Sequence, residues 1–227
     1  MRLRLLSFNS IVREMASSLE WSEIIDISPM VSKKIAVYPG DKPFEENFLL
    51  EMSKGDNFTL SSIHTTVHLG AHTDAPNHYH PEGESIEKRD LSLYMGAVQV
   101  IQVDLGPGER IKPEHLKGKN ISAPRVLFKT LSFPDPNKWN SDFVALSPEL
   151  IDFLSQKKVK LVGLDTPSVD LSDDKELLTH HRIYEKNMAI LEGVVLNHVS
   201  EGIYHLIALP LKIEGADATP VRAVLLR

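Results

Sequence analysis

The stretch Ser147–Asp165, SPELIDFLSQKKVKLVGLD, sets the fold class. Ser147 is a helix N-cap and Pro148 suits the first helical position. Leu150, Ile151, Phe153 and Leu154 mark one buried helical face. Lys157 and Lys158 close the helix, where cations complement its dipole. Val159 to Asp165 then reads as a buried strand. A helix running straight into a strand points to helices packed on a sheet.

Outward from there the chain is strand-rich. Strands are expected at Glu23–Ser28, Ala97–Asp104, Arg125–Thr130, Met188–Leu196, Ile203–Ile213 and Val221–Leu226. Ser62 to His68 alternate with a period of two and read as another strand, with His68 near its end. The residues after it read as loop, because Gly70, Pro76 and Asn77 disfavour regular structure. A second helix is expected from Asp173 to about Tyr184. The expected architecture is a mixed sheet with flanking helices in an α/β or α+β domain, partly curled into a barrel. Residues 1–20 read as a loose leader, with Met15 an alternative start, and residues 21–227 as a single domain.

The chain has 227 residues, 42% hydrophobic and 25% charged, a soluble globular composition. Its formal net charge of -6 gives no reason to expect a nucleic-acid partner. No stretch is long and apolar enough to span a membrane. Nothing argues for secretion, so the expected home is the cytoplasm. With no cysteine, disulfides, thiolate metal sites and a Cys nucleophile are excluded. No GxSxG elbow offers a serine nucleophile either.

The ten histidines are His64, His68, His72, His78, His80, His115, His180, His181, His198 and His205. Five of them fall between positions 64 and 80, with the spacing His68-x3-His72-x-Asp74-x3-His78. A strand end curling into a tight loop can bring His68, His72 and Asp74 to one point, and Gly70 and Ala71 let the backbone come close. Two imidazoles and a carboxylate suit Zn²⁺, and also Mn²⁺ or Fe²⁺. His78 fits either a fourth ligand or, preferably, a proton-transfer group. His64 and His80 read as structural or supporting residues. Glu192 lies in the apolar run Met188–Leu196, where a carboxylate needs a partner, and a metal is a good one. Asp74 and Glu192 are candidates to bridge two metals. Only one of His180 and His181 can reach a shared site from a helix, and spacing does not choose between them.

The string from His68 to His78, HLGAHTDAPNH, resembles the HxGxHxDxPxH signature of the cyclase-type metal hydrolases. The strings DISP (26–29), YPGDKPF (38–44), GLDTPS (163–168), AILEG (189–193), LIALPL (206–211) and PVRAVL (220–225) are similar to the kynurenine formamidase branch of that family. The resemblance runs from about Trp21 to the C-terminus. It implies a small α/β domain of the swivelling β/β/α type and a homodimer or higher homo-oligomer. It also implies two Zn²⁺ per subunit, one on His68, His72 and Asp74, the other on Asp74, His180 and Glu192, with Glu192 touching both. By position it favours His180 over His181 and makes His78 the proton donor or acceptor. The activity it implies is hydrolysis of an aryl formamide, N-formyl-L-kynurenine, to L-kynurenine and formate. Tyr38 stands where the family often has a pocket-lining Trp, and it keeps an aromatic face for the substrate ring.

Overall fold

The computed structural model describes residues 21–227, and the leader reading of residues 1–20 lies outside them. In chain order the strands are β1 (Ile24–Asp26), β2 (Glu45–Leu50), β3 (Leu60–His64), β4 (His72–Asp74), β5 (Met95–Gln102), β6 (Arg110–Ile111), β7 (Arg125–Lys129), β8 (Ala145–Leu146), β9 (Leu161–Leu164), β10 (Ala189–Leu191), β11 (Gly202–Ile207), β12 (Ala218–Pro220) and β13 (Val224–Leu226). Among the described residues two α-helices accompany them, α1 (Pro148–Gln156) and α2 (Leu178–Glu185).

The main sheet has the order β1-β13-β11-β5-β7-β9-β10. Its β5-β7-β9-β10 half is parallel, and its β1-β13-β11-β5 half is antiparallel. Hydrogen bonding continues past β10. Glu192 pairs with His72 of β4, β4 pairs with β12, and β12 leads within a few residues into β13. The paired segments therefore return to their start, so the sheet curls on itself. Ile27 pins the seam, accepting from Val195 N at 2.7 Å and donating to Ala223 O at 3.1 Å. This is the mixed, partly barrelled sheet expected from the sequence.

Side chains alternate across the wall, as the strand period of two requires. Val98, Val100, Leu127, Leu161, Leu191 and Leu206 fill the interior. Ile101, Val126, Phe128, Val162, Leu164 and Ile190 face outward and are covered by Leu150, Ile151 and Leu154 of α1 and Ile183 of α2. Ser147 caps α1 as expected, its side chain accepting from Leu150 N. No helix among the described residues is long and apolar enough to cross a membrane.

Several boundaries differ from the sequence reading. The strand expected to reach His68 ends at His64, in a hairpin of β2 and β3 that the sequence did not announce. His68 lies in a bend beyond it. The stretch expected to be loop contains β4 and a 3-10 turn at Pro76–His78. Helix α2 starts at Leu178 rather than Asp173, because Asp174 Oδ1 accepts from the N–H groups of Glu176 and Leu177, and Leu177 takes a left-handed φ of 49°. The strand expected over Met188–Leu196 stops at Leu191, since Gly193 has φ +65°. The strand expected to reach Ile213 stops at Ile207, and the one expected from Val221 begins at Val224.

Gly163 of β9 sits at a tight point of the wall. A Cβ there would lie 2.6 Å from both Leu127 Cδ2 and the Leu191 carbonyl oxygen. The carbonyl belongs to the paired strand and cannot step aside. Gly163→Ala should therefore lower the unfolding free energy by about 1–3 kcal/mol, read as a lower urea midpoint at unchanged m-value. An unchanged midpoint would mean the wall is looser than described.

Candidate metal centre

The centre forms where the two ends of the curled sheet meet. His72 and Asp74 are alternate residues of β4, so they share a face, while Thr73 points away and donates to Ile190 O at 2.6 Å. His72 N donates to Glu192 O at 3.1 Å and Glu192 N to His72 O at 2.9 Å. Directly paired residues present their side chains on one side. His72 Nε2 accordingly lies 3.1 Å from Glu192 Oε2 and 3.5 Å from Asp74 Oδ1.

Three further histidines converge on the same carboxylates. His68 Nδ1 is 3.1 Å from Asp74 Oδ1. His180, on the buried side of α2, places Nε2 3.6 Å from Asp74 Oδ2 and 3.9 Å from Glu192 Oε1. Its neighbour His181 is exposed. His78, in the 3-10 turn started by Pro76, stacks its ring 4.2 Å from that of His68. His64 is exposed on the hairpin, and His80 stacks on Tyr184 at 3.8 Å.

Each inner imidazole is tethered through the ring nitrogen that faces away. His72 Nδ1 is 2.9 Å from Gly70 O, a pure acceptor, so Nδ1 carries the proton and Nε2 presents its lone pair. His180 Nδ1 is held in the same way by Asp170 Oδ2 at 2.8 Å, and Arg110 in turn holds Asp170 at 2.7 Å. His68 Nε2 is held by Asp217 Oδ2 at 3.1 Å. Glu192 Oε1 accepts from Val169 N at 2.7 Å. Asp170 and Asp217 were missed by sequence reasoning. Each is a single Asp in a loop, with no spacing signal beyond its nearness to the GLDTPS string and to the PVRAVL tail.

The centre is crowded with acceptors. Asp74 is 2% exposed, and its Oδ1 accepts no hydrogen bond. It faces the lone-pair nitrogens of two imidazoles. Buried acceptors arranged in this way need a cation among them, either protons on the rings or a metal ion. Two groups of three ligand atoms lie within 4.8 Å of one another, His72 with Asp74 and Glu192, and His68 with Asp74 and His78. Asp74 is common to both. The structure brings the expected residues together, with His72 beside Glu192 and His78 beside His68, while His180 approaches both carboxylates without joining either group of three. The borderline-to-hard donor set, the orphaned Asp74 oxygen and the tethered far nitrogens all fit a divalent metal.

Protons fill the role when no metal does. Burial pulls the His68 and His180 imidazoles down, but Asp74 and Asp217 around His68, and Asp170, Asp74 and Glu192 around His180, outweigh it and hold both at about 10. Burial opposes ionisation of Asp74 too, yet the surrounding imidazoles keep it well below the usual carboxylate range.

The centre opens into a cavity of about 610 Å³. Tyr38, Phe133 and Trp139 form its aromatic wall, with Tyr38 and Trp139 edge to face at 5.3 Å. Tyr38 Oη donates to Ser172 O at 2.9 Å. No Lys or Arg lines the cavity among the described residues.

The family described as "Putative cyclase" matches residues 25–171. A solved structure described as a potential metal-dependent hydrolase with cyclase activity is 25% identical, with a TM-score of 0.78 over 90% of this chain and 97% of its own. One described as a predicted metal-dependent hydrolase from Bacillus stearothermophilus is also 25% identical, with a TM-score of 0.76 over 90% and 98%. Isatin hydrolase A from Labrenzia aggregata, bound to benzyl benzoate, is 21% identical with a TM-score of 0.77 over 97% and 99%, a likeness of fold.

The raised imidazoles set a pH dependence. A folded pKa of about 10, above the unfolded value of about 6.5, gives stability that is complete below 6.5 and lost as pH rises through 10. A metal must displace those protons, so its binding strengthens over the same window. The melting temperature of chelator-treated protein should fall between pH 6.5 and 10, and the gap to zinc-supplemented protein should widen. A gap that stays constant across that range would contradict this account.

Proposed function

This chain belongs to the cyclase family, and we propose that it is a metal-dependent hydrolase that cleaves aryl amides, with N-formyl-L-kynurenine as substrate and L-kynurenine and formate as products. The observation that carries the reading is the orphaned Asp74 carboxylate, shared by two groups of metal-ligand atoms at the floor of an aromatic cavity. His68, His72, Asp74, His180 and Glu192 are the proposed ligands, and Zn²⁺ or Mn²⁺ suits them; His78, within ligand distance of His68 and Asp74, is assigned to proton transfer instead. A divalent cation held there supplies Lewis acidity, lowering the pKa of water to about 7 and polarising a carbonyl.

The chain's own groups do the rest. Tyr38, Phe133 and Trp139 hold the aryl ring by its faces and edges. Water adds to the formyl carbon, the carbon–nitrogen bond breaks, and the aryl amine leaves with a proton. His78 is placed to deliver that proton. It stands beside His68 at the cavity edge, and its side chain is 34% exposed, so a substrate can reach it. Support for a formamide substrate comes from the strings shared with the formamidase branch, above all AILEG at 189–193 and PVRAVL at 220–225.

A second reading is hydrolysis of a neutral cyclic amide such as isatin. Among the described residues no Lys or Arg lines the cavity, which favours it, because an amino-acid carboxylate would find no guanidinium or ammonium there. The fold of isatin hydrolase points the same way.

A panel of N-formyl-L-kynurenine, formanilide and isatin, assayed before and after chelation, separates these readings. Formylkynurenine should be turned over, activity should vanish on chelation and it should return with Zn²⁺ or Mn²⁺. Preference for isatin would establish the second reading. Full activity in metal-free protein, or none on any of the three, would end the proposal. His78→Ala should lower kcat by about 10²–10⁴-fold with metal content unchanged.

A further inference from the structure

Asp217 sits just before β12, where Ala75 N donates to its carbonyl at 2.8 Å. The register Ala218↔Asp74 places it beside the metal centre. Its carboxylate does something no other tether of the centre does. Gly70 O holds His72 alone, and Asp170 holds the His180 ring alone. Asp217 Oδ2 lies 3.1 Å from His68 Nε2 and 3.3 Å from His78 Nδ1. One acceptor oxygen thus serves two imidazoles whose rings are 4.2 Å apart.

The chemistry of the rings gives this contact its meaning. A carboxylate accepts only, so each nitrogen facing it carries a proton. For His68 that leaves Nδ1, 3.1 Å from Asp74 Oδ1, with the lone pair toward the ligand cluster. For His78 it leaves Nε2 as the nitrogen free to exchange a proton. A fixed tautomer is what an imidazole needs for metal binding and for acid–base work alike.

Resting on the metal-hydrolase reading above, we propose that Asp217 is a positioning residue for both halves of the site, fixing the nitrogen that His68 offers to the metal and the nitrogen through which His78 moves protons. In this role the carboxylate acts through the two imidazoles. It couples the two rings, because a single oxygen orients both.

Four variants separate the roles. Asp217→Asn should weaken zinc affinity, measured by competition with a chelating dye, by about 10- to 100-fold. It should also lower kcat at saturating zinc by at least about 100-fold, with KM within about threefold of the natural value. His78→Ala should lose kcat and keep zinc affinity, and Asp170→Asn should lose affinity and recover kcat when zinc saturates. Asp217→Glu, which keeps the carboxylate, should restore part of both losses. Long-range ¹H–¹⁵N spectra of the zinc-loaded natural protein should show His78 protonated at Nδ1 and His68 at Nε2.

A kcat of Asp217→Asn that zinc restores fully would confine Asp217 to His68 and overturn the proposal. So would natural zinc affinity in that variant, or a His78 ring protonated only at Nε2. Should no aryl amide be hydrolysed by the natural protein, the hydrolase reading fails, while zinc affinity and ring tautomers still judge Asp217. If Asp217→Asn does not fold, the tautomers in the natural protein decide.

Discussion

A buried carboxylate, Asp74, whose Oδ1 accepts no hydrogen bond is the constraint around which this protein is arranged. Asp74 is almost fully enclosed, and ionised groups in such places are strongly disfavoured unless a counter-charge is within reach. Four histidines and a second buried carboxylate, Glu192, surround it. That set has an excess of acceptors once each far ring nitrogen is tethered. It is stable only with cations in its midst, and protons and metal ions compete for those places.

The barrel-like sheet exists, in functional terms, to bring these residues to one seam. β4 is only three residues long, yet it is bonded on one side to Glu192 and on the other to β12. Gly193 makes the close approach possible. It adopts φ +65°, and a Cβ there would lie 2.1 Å from Gly70 O, the carbonyl that orients His72. A side chain at 193 would thus disturb two of the proposed ligands, His72 and Glu192, at once. The helical layer contributes from the other side, since α2 carries His180 inward while Arg110 and Asp170 anchor that helix's first turn and the imidazole itself.

Much of this is legible in the sequence because the chemistry is concentrated. The spacing of His68, His72, Asp74 and His78 leaves few innocent explanations, and Glu192 stands out in an apolar run. The long strands and α1 are legible because their periodicity and caps agree. What is illegible has a common cause. β4 lies between Gly70 and Pro76 and has the composition of a loop, and it is a strand only because partners distant in sequence pair with it. The late start of α2 depends on how Asp174 caps the preceding turn. Asp170 and Asp217 act on histidines through tertiary contacts, and a lone aspartate in a loop carries no period to read. His180 and His181 are equivalent in spacing, and only the packing of α2 separates the buried one from the exposed one.

The claim that Asp74 organises the centre is tested most directly by counting metal. Natural protein and Asp74→Asn would be stripped with chelator, dialysed against zinc and measured by elemental analysis beside a circular-dichroism check of folding. The account predicts about two zinc ions per natural chain and none held tightly by the folded variant. A natural chain that binds no zinc, or a variant that binds as much as the natural one, would contradict it.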